Sequence, residues 1–215
     1  MSSATQEQTE TKEATASLTQ ANSWKGLLIQ PIVLLVILGV MFWWMSTADL
    51  TETERITLNA SYLSTLAWEH LKLTIISAVI VLVTAIPVGI LLTRGPFRKL
   101  TTPVMALANI GQAAPPVGLI VLFAFWLSFG TTAAIVTLVV YAFLPVLKNT
   151  MVGLEAVDKR TIEAARGMGM SPGMVLWKVE LPLAVPVMLA GIRTALVLLV
   201  GTATLATFIN GGGLG

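Results

Sequence analysis

The chain has 215 residues, of which 55% are hydrophobic and only 11% are charged, and its mean hydropathy is +0.84. Ordinary soluble domains contain about a quarter charged residues, so a water-soluble fold could not bury this much apolar side chain. The absence of cysteine excludes disulfides, thiolate metal sites and thiol nucleophiles. The 13 basic residues nearly balance the 11 acidic residues, so we attribute the small net charge to loop topology and expect no nucleic-acid partner.

The first 23 residues are rich in Thr, Ser, Gln, Glu and Ala, a composition typical of disordered segments. We therefore predict a disordered tail over 1–23. The apolar stretch that follows is too long for a signal peptide and lacks a small-residue cleavage site. It predicts a first transmembrane helix over 24–48.

Apolar runs close to the ~20 residues that cross a bilayer recur along the chain. They predict an all-helical integral membrane protein with at least five spans that is embedded in the lipid bilayer. The fifth run contains one charge, Arg193. The runs cover residues 27–45, 73–93, 100–129, 131–147 and 183–209.

The charges between the runs predict an orientation, because Lys and Arg accumulate on the cytoplasmic side of such proteins. Residues 94–100 contain three cations and no anion, whereas 47–69 contains four acidic residues and one Arg. We therefore place 94–100 and the N-terminus in the cytoplasm and 47–69 outside. The long loop over 148–182 is then cytoplasmic, in a multi-pass protein of a bacterial cytoplasmic membrane.

Two consecutive prolines, Pro115 and Pro116, interrupt the third run. They remove two backbone donors and disfavour helix at the residue before each of them. A membrane tolerates such a break only where protein or water satisfies the freed carbonyls, so Gln112, Pro115 and Pro116 are candidates to line a pathway. A packing kink is an equal alternative. Arg193 is a further candidate because an intramembrane cation normally faces the bundle interior or water, with span-end carbonyls as the structural alternative.

A helix–turn–helix pattern occupies the loop over 148–182. Asp158 can cap a short helix that reads KRTIEAARGMG, and Gly169 can end it in a left-handed conformation. Ser171 followed by Pro172 predicts the start of a second short helix. A compact projection of this kind is typical of a docking element.

The spacing in this loop resembles a known family. The sequence EAA, three residues, Gly169, nine residues and then VELP is similar to the EAA-x3-G-x9-I-x-L-P pattern of membrane subunits of ATP-binding-cassette importers, with Val179 in place of Ile. The resemblance implies that residues 158–182, called the coupling loop from here on, contact a groove on a separate ATPase subunit. The residues to which it assigns this role are Glu163, Ala164, Ala165, Gly169, Leu181 and Pro182.

The stretches GQAAPPVGLIVL, YAFLPVLKNTMVGLEAVD and KVELPLAVPVMLAGIRTA resemble the permeases of osmoprotectant importers for glycine betaine, choline and carnitine. This resemblance covers 66–215 and implies a polytopic permease domain like that of type I importers. It also implies three partners, namely an ABC ATPase subunit, a second permease subunit and an extracytoplasmic substrate-binding protein. ATP would be bound by the ATPase, since this chain has no Walker A sequence, and no cofactor or metal is expected here. The resembling permeases continue through at least one more span, so we expect a truncated or shortened C-terminus.

Several alternatives remain open on the sequence. Glu163 could instead form a surface pair with Lys159 or Arg166, worth only ~0.2–0.5 kcal/mol. The solute could be an amino acid. A secondary transporter would also suit the broken third run, but none of the five runs contains Asp or Glu, where coupled carriers commonly place carboxylates. A scaffold without a transport role fits the loop pattern least.

Overall fold

The structure is a computed structural model that describes residues 24–48 and 51–215. The predicted tail over 1–23 lies outside the described residues. The chain divides into two units between Leu58 and Asn59. The first unit contains α1 (Trp24–Thr47) and the short α2 (Glu52–Thr57). Large apolar side chains of α1 are exposed along Leu28–Trp44, and its role as the first transmembrane helix stays a prediction.

The second unit is a helical bundle in which two 3₁₀ turns and a π segment join or extend the α-helices. In chain order, the elements are α3 (Ala60–Leu92), a 3₁₀ turn (Gly95–Leu100), α4 (Thr101–Ala113), α5 (Pro116–Leu127), α6 (Thr131–Glu155), α7 (Lys159–Gly167), α8 (Pro172–Val175), the π segment (Leu176–Glu180), α9 (Leu181–Ala203) and a terminal 3₁₀ turn (Thr204–Ile209).

Among the described residues, three helices are long and apolar enough to cross a membrane: Ala60–Leu92, Thr131–Glu155 and Pro172–Ile209. A fourth span results if α4 and α5, which are bent by 103° at their junction, form one broken span. The described parts of the chain contain no strand, so the all-helical membrane fold is confirmed. The count of at least five spans stays a prediction.

The long helices extend beyond the predicted apolar runs. α3 begins at Ala60 instead of residue 73, and α6 continues to Glu155 instead of ending at residue 147. The added turns contain Glu69 and Lys148. Charged residues end an uncharged run but are good helix formers, so hydropathy alone placed these boundaries too close to the membrane centre.

The central helix of the bundle is α6, which packs against both α3 and α9. The core between them includes Val81, Leu138, Leu147 and Leu199, all at most 1% exposed. A Cβ at Gly191 would lie 2.6 Å from the Pro145 carbonyl oxygen. The absence of a side chain at Gly191 therefore allows α9 to approach α6 closely, as is common between membrane helices.

The second helix of the coupling loop begins where predicted but is not a separate element. Pro172 to Ile209 forms one continuous helix through the π segment. Pro182 cannot donate to a carbonyl four residues earlier, and the backbone N–H of Leu181 donates to Leu176 five residues back. This π geometry lets the chain pass the proline without a break, so the loop is directly continuous with the last span.

Candidate functional site

The short helix α7 of the coupling loop is fixed at both ends by local hydrogen bonds. At its start, an Asp158 side-chain oxygen accepts from the Arg160 backbone N–H at 2.9 Å. At its end, Gly169 has φ +85°, and its N–H donates to the Arg166 carbonyl at 2.9 Å. The Met170 N–H donates to the Ala165 carbonyl at 3.2 Å. These two bonds form a Schellman motif, so both the predicted cap and the predicted glycine turn are present.

Exposure divides the EAA residues into two groups. Ala165 is only 2% exposed and lies on the buried side of α7, which packs against α8 and the π segment. Glu163, Ala164 and Gly169 are exposed. Glu163 has no ion-pair partner within residues 24–48 and 51–215, so the alternative that pairs it with a neighbouring cation is not observed. Its carboxylate is available to another molecule.

Large apolar side chains are exposed on the same loop. Met168 is 73% exposed, Trp177 is 71% exposed and Met174 is 42% exposed. The sequence argument did not single them out, although three large apolar residues in a loop between spans were a usable signal. Methionine adapts its shape to irregular surfaces, and Trp is enriched at protein interfaces. The loop thus presents apolar contact area as well as the Glu163 carboxylate.

The last two residues of the EAA pattern differ in exposure. Leu181 is half-buried and packs against a small core cluster that includes Leu154, Ala184 and Met188. Pro182 is exposed in the first turn of α9. Leu181 therefore joins the loop to the bundle, whereas Pro182 stays accessible to another molecule, as do Glu163, Ala164 and Gly169.

A second polar feature at this end of the bundle was missed on the sequence. The Arg94 guanidinium forms two hydrogen bonds with the two oxygens of the Glu180 carboxylate, and the bond from Nη1 to Oε1 is 3.1 Å. The Glu180 side chain is 3% exposed and that of Arg94 is 36% exposed. The two residues are 86 positions apart, so no local pattern could have revealed the pair.

The candidates for a pathway lie on different helices. α4 ends at Ala113 and α5 begins at Pro116, so the predicted break is present. Gln112 and Pro116 are half-buried and Pro115 is exposed. Arg193 lies on α9 with an exposed side chain and has no ion-pair partner in the described parts of the chain. Because the Arg193 side chain lies on the surface, it can contact a neighbouring molecule or water.

The described residues contain no group of three or more His, Cys, Asp or Glu side chains that could hold a metal. His70, the single histidine of the sequence, is 8% exposed, and its Nε2 lies 3.0 Å from the Val200 carbonyl oxygen. This contact joins α3 to α9 and gives His70 a packing role.

A bundle of long apolar helices with an exposed, capped loop between two of them defines an integral membrane protein. The family whose profile matches residues 85–215 is described as the binding-protein-dependent transport system inner membrane component. The chain belongs to this family. It is therefore a multi-pass protein of the inner membrane and a permease subunit.

Two curated relatives and one solved structure are similar to most of the chain. The choline transport system permease protein OpuBB of Bacillus subtilis (strain 168) is 41% identical over 148 residues, which are 69% of this chain and 67% of that protein. The glycine betaine/carnitine/choline transport system permease protein OpuCB of the same organism is 42% identical over 147 residues, 68% of this chain and 67% of that protein. A structure of the MetNI methionine ABC transporter in an inward-facing conformation has a TM-score of 0.64 and 29% identity, covering 76% of this chain and 79% of that chain.

Proposed function

We propose that this chain is the translocating subunit of an ATP-driven importer for osmoprotectants such as glycine betaine, choline and carnitine. The transport roles that the two Bacillus subtilis relatives are named for support this solute class. A binding protein outside the membrane would deliver the solute, and a second permease subunit would complete the pathway. Aromatic boxes that recognise quaternary ammonium by cation–π attraction are expected on the binding protein. The binding protein would therefore determine most of the solute selectivity, and this chain would form the translocation path.

The observation that carries the proposal is the geometry of the coupling loop. A capped helix and a Schellman turn hold Glu163 and Ala164 in an exposed, ordered position, and the same loop exposes the side chains of Met168 and Trp177. Exposed methionine and tryptophan side chains suit an interaction site. The small Ala164 permits close approach of a partner, while the Glu163 carboxylate can meet a cation.

The partner is a separate ATPase subunit on the cytoplasmic side. Closure of the ATPases on ATP would displace the loop, and the continuous helix from Pro172 to Ile209 would carry that displacement into the membrane. Helix movements of this kind switch a transporter between inward-open and outward-open states.

Charge reversal at Glu163 tests the docking role. Glu163→Lys should reduce co-purification of the ATPase with the membrane-inserted permease, because a cation replaces the exposed carboxylate at the contact. Glu52→Lys makes the same chemical change at an exposed residue of α2, on the predicted outer side, and should leave co-purification unchanged. Normal ATPase binding by the Glu163 variant would remove the docking role of the loop.

We also propose that Gln112, Pro115, Pro116 and Arg193 line the pathway. The break between α4 and α5 and the exposed cation on α9 support this assignment, because both need water or protein for their polar groups. Gln112→Cys and Arg193→Cys should react with a water-soluble thiol reagent in the assembled transporter. Leu35→Cys, on the exposed apolar surface of α1, should not react. Equal protection of all three positions would contradict the assignment.

A further inference from the structure

The Arg94–Glu180 ion pair joins two parts of the bundle that are far apart in sequence. Arg94 lies two residues after the end of α3, and its backbone N–H donates to the Leu91 carbonyl at 2.9 Å. The Thr101 hydroxyl donates to the Leu92 carbonyl at 3.1 Å, which closes the 3₁₀ turn back onto α3. Arg94 is thereby held against the end of α3. Glu180 is the last residue of the π segment, directly before α9.

Glu180 lies in the coupling loop, between α7 and the start of the last span. α7 packs against α8 and the π segment, and the π segment continues into α9. A displacement of α7 therefore reaches α9 through the chain itself. It reaches the end of α3 through the Arg94 side chain.

The pair lies at a cavity of about 320 Å³ that α7 also lines. Besides Arg94 and Glu180, the lining includes Lys159 and Ile162 of α7 and the charged residues Arg98 and Glu155. Both hydrogen bonds of the guanidinium go to Glu180, and the buried Nε has no acceptor in the described residues. The Glu180 carboxylate is nearly inaccessible to water. Bidentate Arg–carboxylate pairs fix geometry as well as adding energy.

We propose that the Arg94–Glu180 pair is a tether that makes α3 and α9 move together when the coupling loop is displaced. Both residues are positioning residues, since neither needs to touch the solute or the nucleotide. The proposal rests on the proposed function of the loop. It adds that the loop acts on two spans, and that the ion pair strengthens, at the end of α3, the direct packing of α3 against α9.

The decisive variant removes both charges. Loss of one partner would strand a buried charge and destabilise the fold, whereas neutralising both partners is often tolerated. The double variant Arg94→Gln with Glu180→Gln, assembled with its ATPase and binding protein in vesicles, should still bind the ATPase. Solute transported per ATP hydrolysed should fall by about tenfold, a typical size for coupling between sites.

Two companion variants separate coupling from charge content. The exchanged pair, Arg94→Glu with Glu180→Arg, rebuilds the contact with reversed polarity and should recover most of the transport per ATP. Arg98→Gln is the matched control, because it removes a cation from the same 3₁₀ turn and has no ion-pair partner in the described residues. It should retain the wild-type ratio.

Three results would overturn the tether. They are a wild-type ratio in the double neutral variant, loss of ATPase binding by that variant, or no recovery in the exchanged pair. Loss of ATPase binding would mean that the pair only maintains the loop fold. Failure of the proposed function is distinguishable, since it appears as normal ATPase binding by Glu163→Lys, whatever the double variant does.

Discussion

The turn at Gly169 allows the sharpest test of the coupling loop. Gly169 has φ +85°, and a Cβ added there would meet no atom within 4 Å, so a substitution disturbs the backbone and nothing else. Gly169→Val places a β-branched residue in the left-handed region, at a strain of about 1–3 kcal/mol. At about 1.4 kcal/mol per factor of ten, the native turn becomes about 5-fold to 150-fold less populated relative to other turns. ATPase affinity should weaken by up to the same factor, because it falls with the fraction of loops in the native turn.

The assay is titration of the purified ATPase against the permease in lipid nanodiscs. Gly167→Val is the matched control, because Gly167 is helical, lies two residues away and also has open space around it. The control should bind within about twofold of wild type, since Val is no worse than Gly inside a helix. Equal affinities for wild type and both variants would show that the Schellman turn does not set the docking geometry.

Two further predictions concern topology and packing. With Ser61→Cys and Lys99→Cys, an impermeant thiol reagent on intact cells should label position 61 and not position 99, and the opposite pattern would invert the orientation. Gly191→Ala brings a Cβ within 2.5 Å of the Asn149 Cβ, and overpacking at about 1–3 kcal/mol should lower the apparent melting temperature in detergent. Gly201→Ala on the same helix, with nothing within 4 Å, should leave it unchanged, and equal melting of both variants would refute close α6–α9 packing.

The chemistry of single residues was sufficient to predict where several helices of this chain begin, end or break. Pro115 and Pro116 predicted the break between α4 and α5, and Asp158 and Gly169 predicted both ends of α7. In each case the residue type limits its own backbone dihedrals or hydrogen bonds. The cause lies within a few residues of the effect, so the sequence contains it.

Features that depend on packing were not accessible in the same way. The Arg94–Glu180 pair joins residues 86 positions apart, and its existence follows from how α3 lies against the last span. The exposure of Arg193 likewise depends on which face of α9 meets α6. The start of α3 near Ala60 was missed because helix formation tolerates charges that a hydropathy run does not.

Uptake by the reconstituted transporter tests the central claim most directly. Vesicles that contain this permease, its ATPase and its binding protein should accumulate labelled glycine betaine, choline or carnitine only when ATP is supplied. ATP-driven uptake restricted to amino acids would contradict the solute class and leave the importer assignment intact. Accumulation without ATP, or without this chain, would contradict the claim that it is the translocating subunit of an ATP-driven importer.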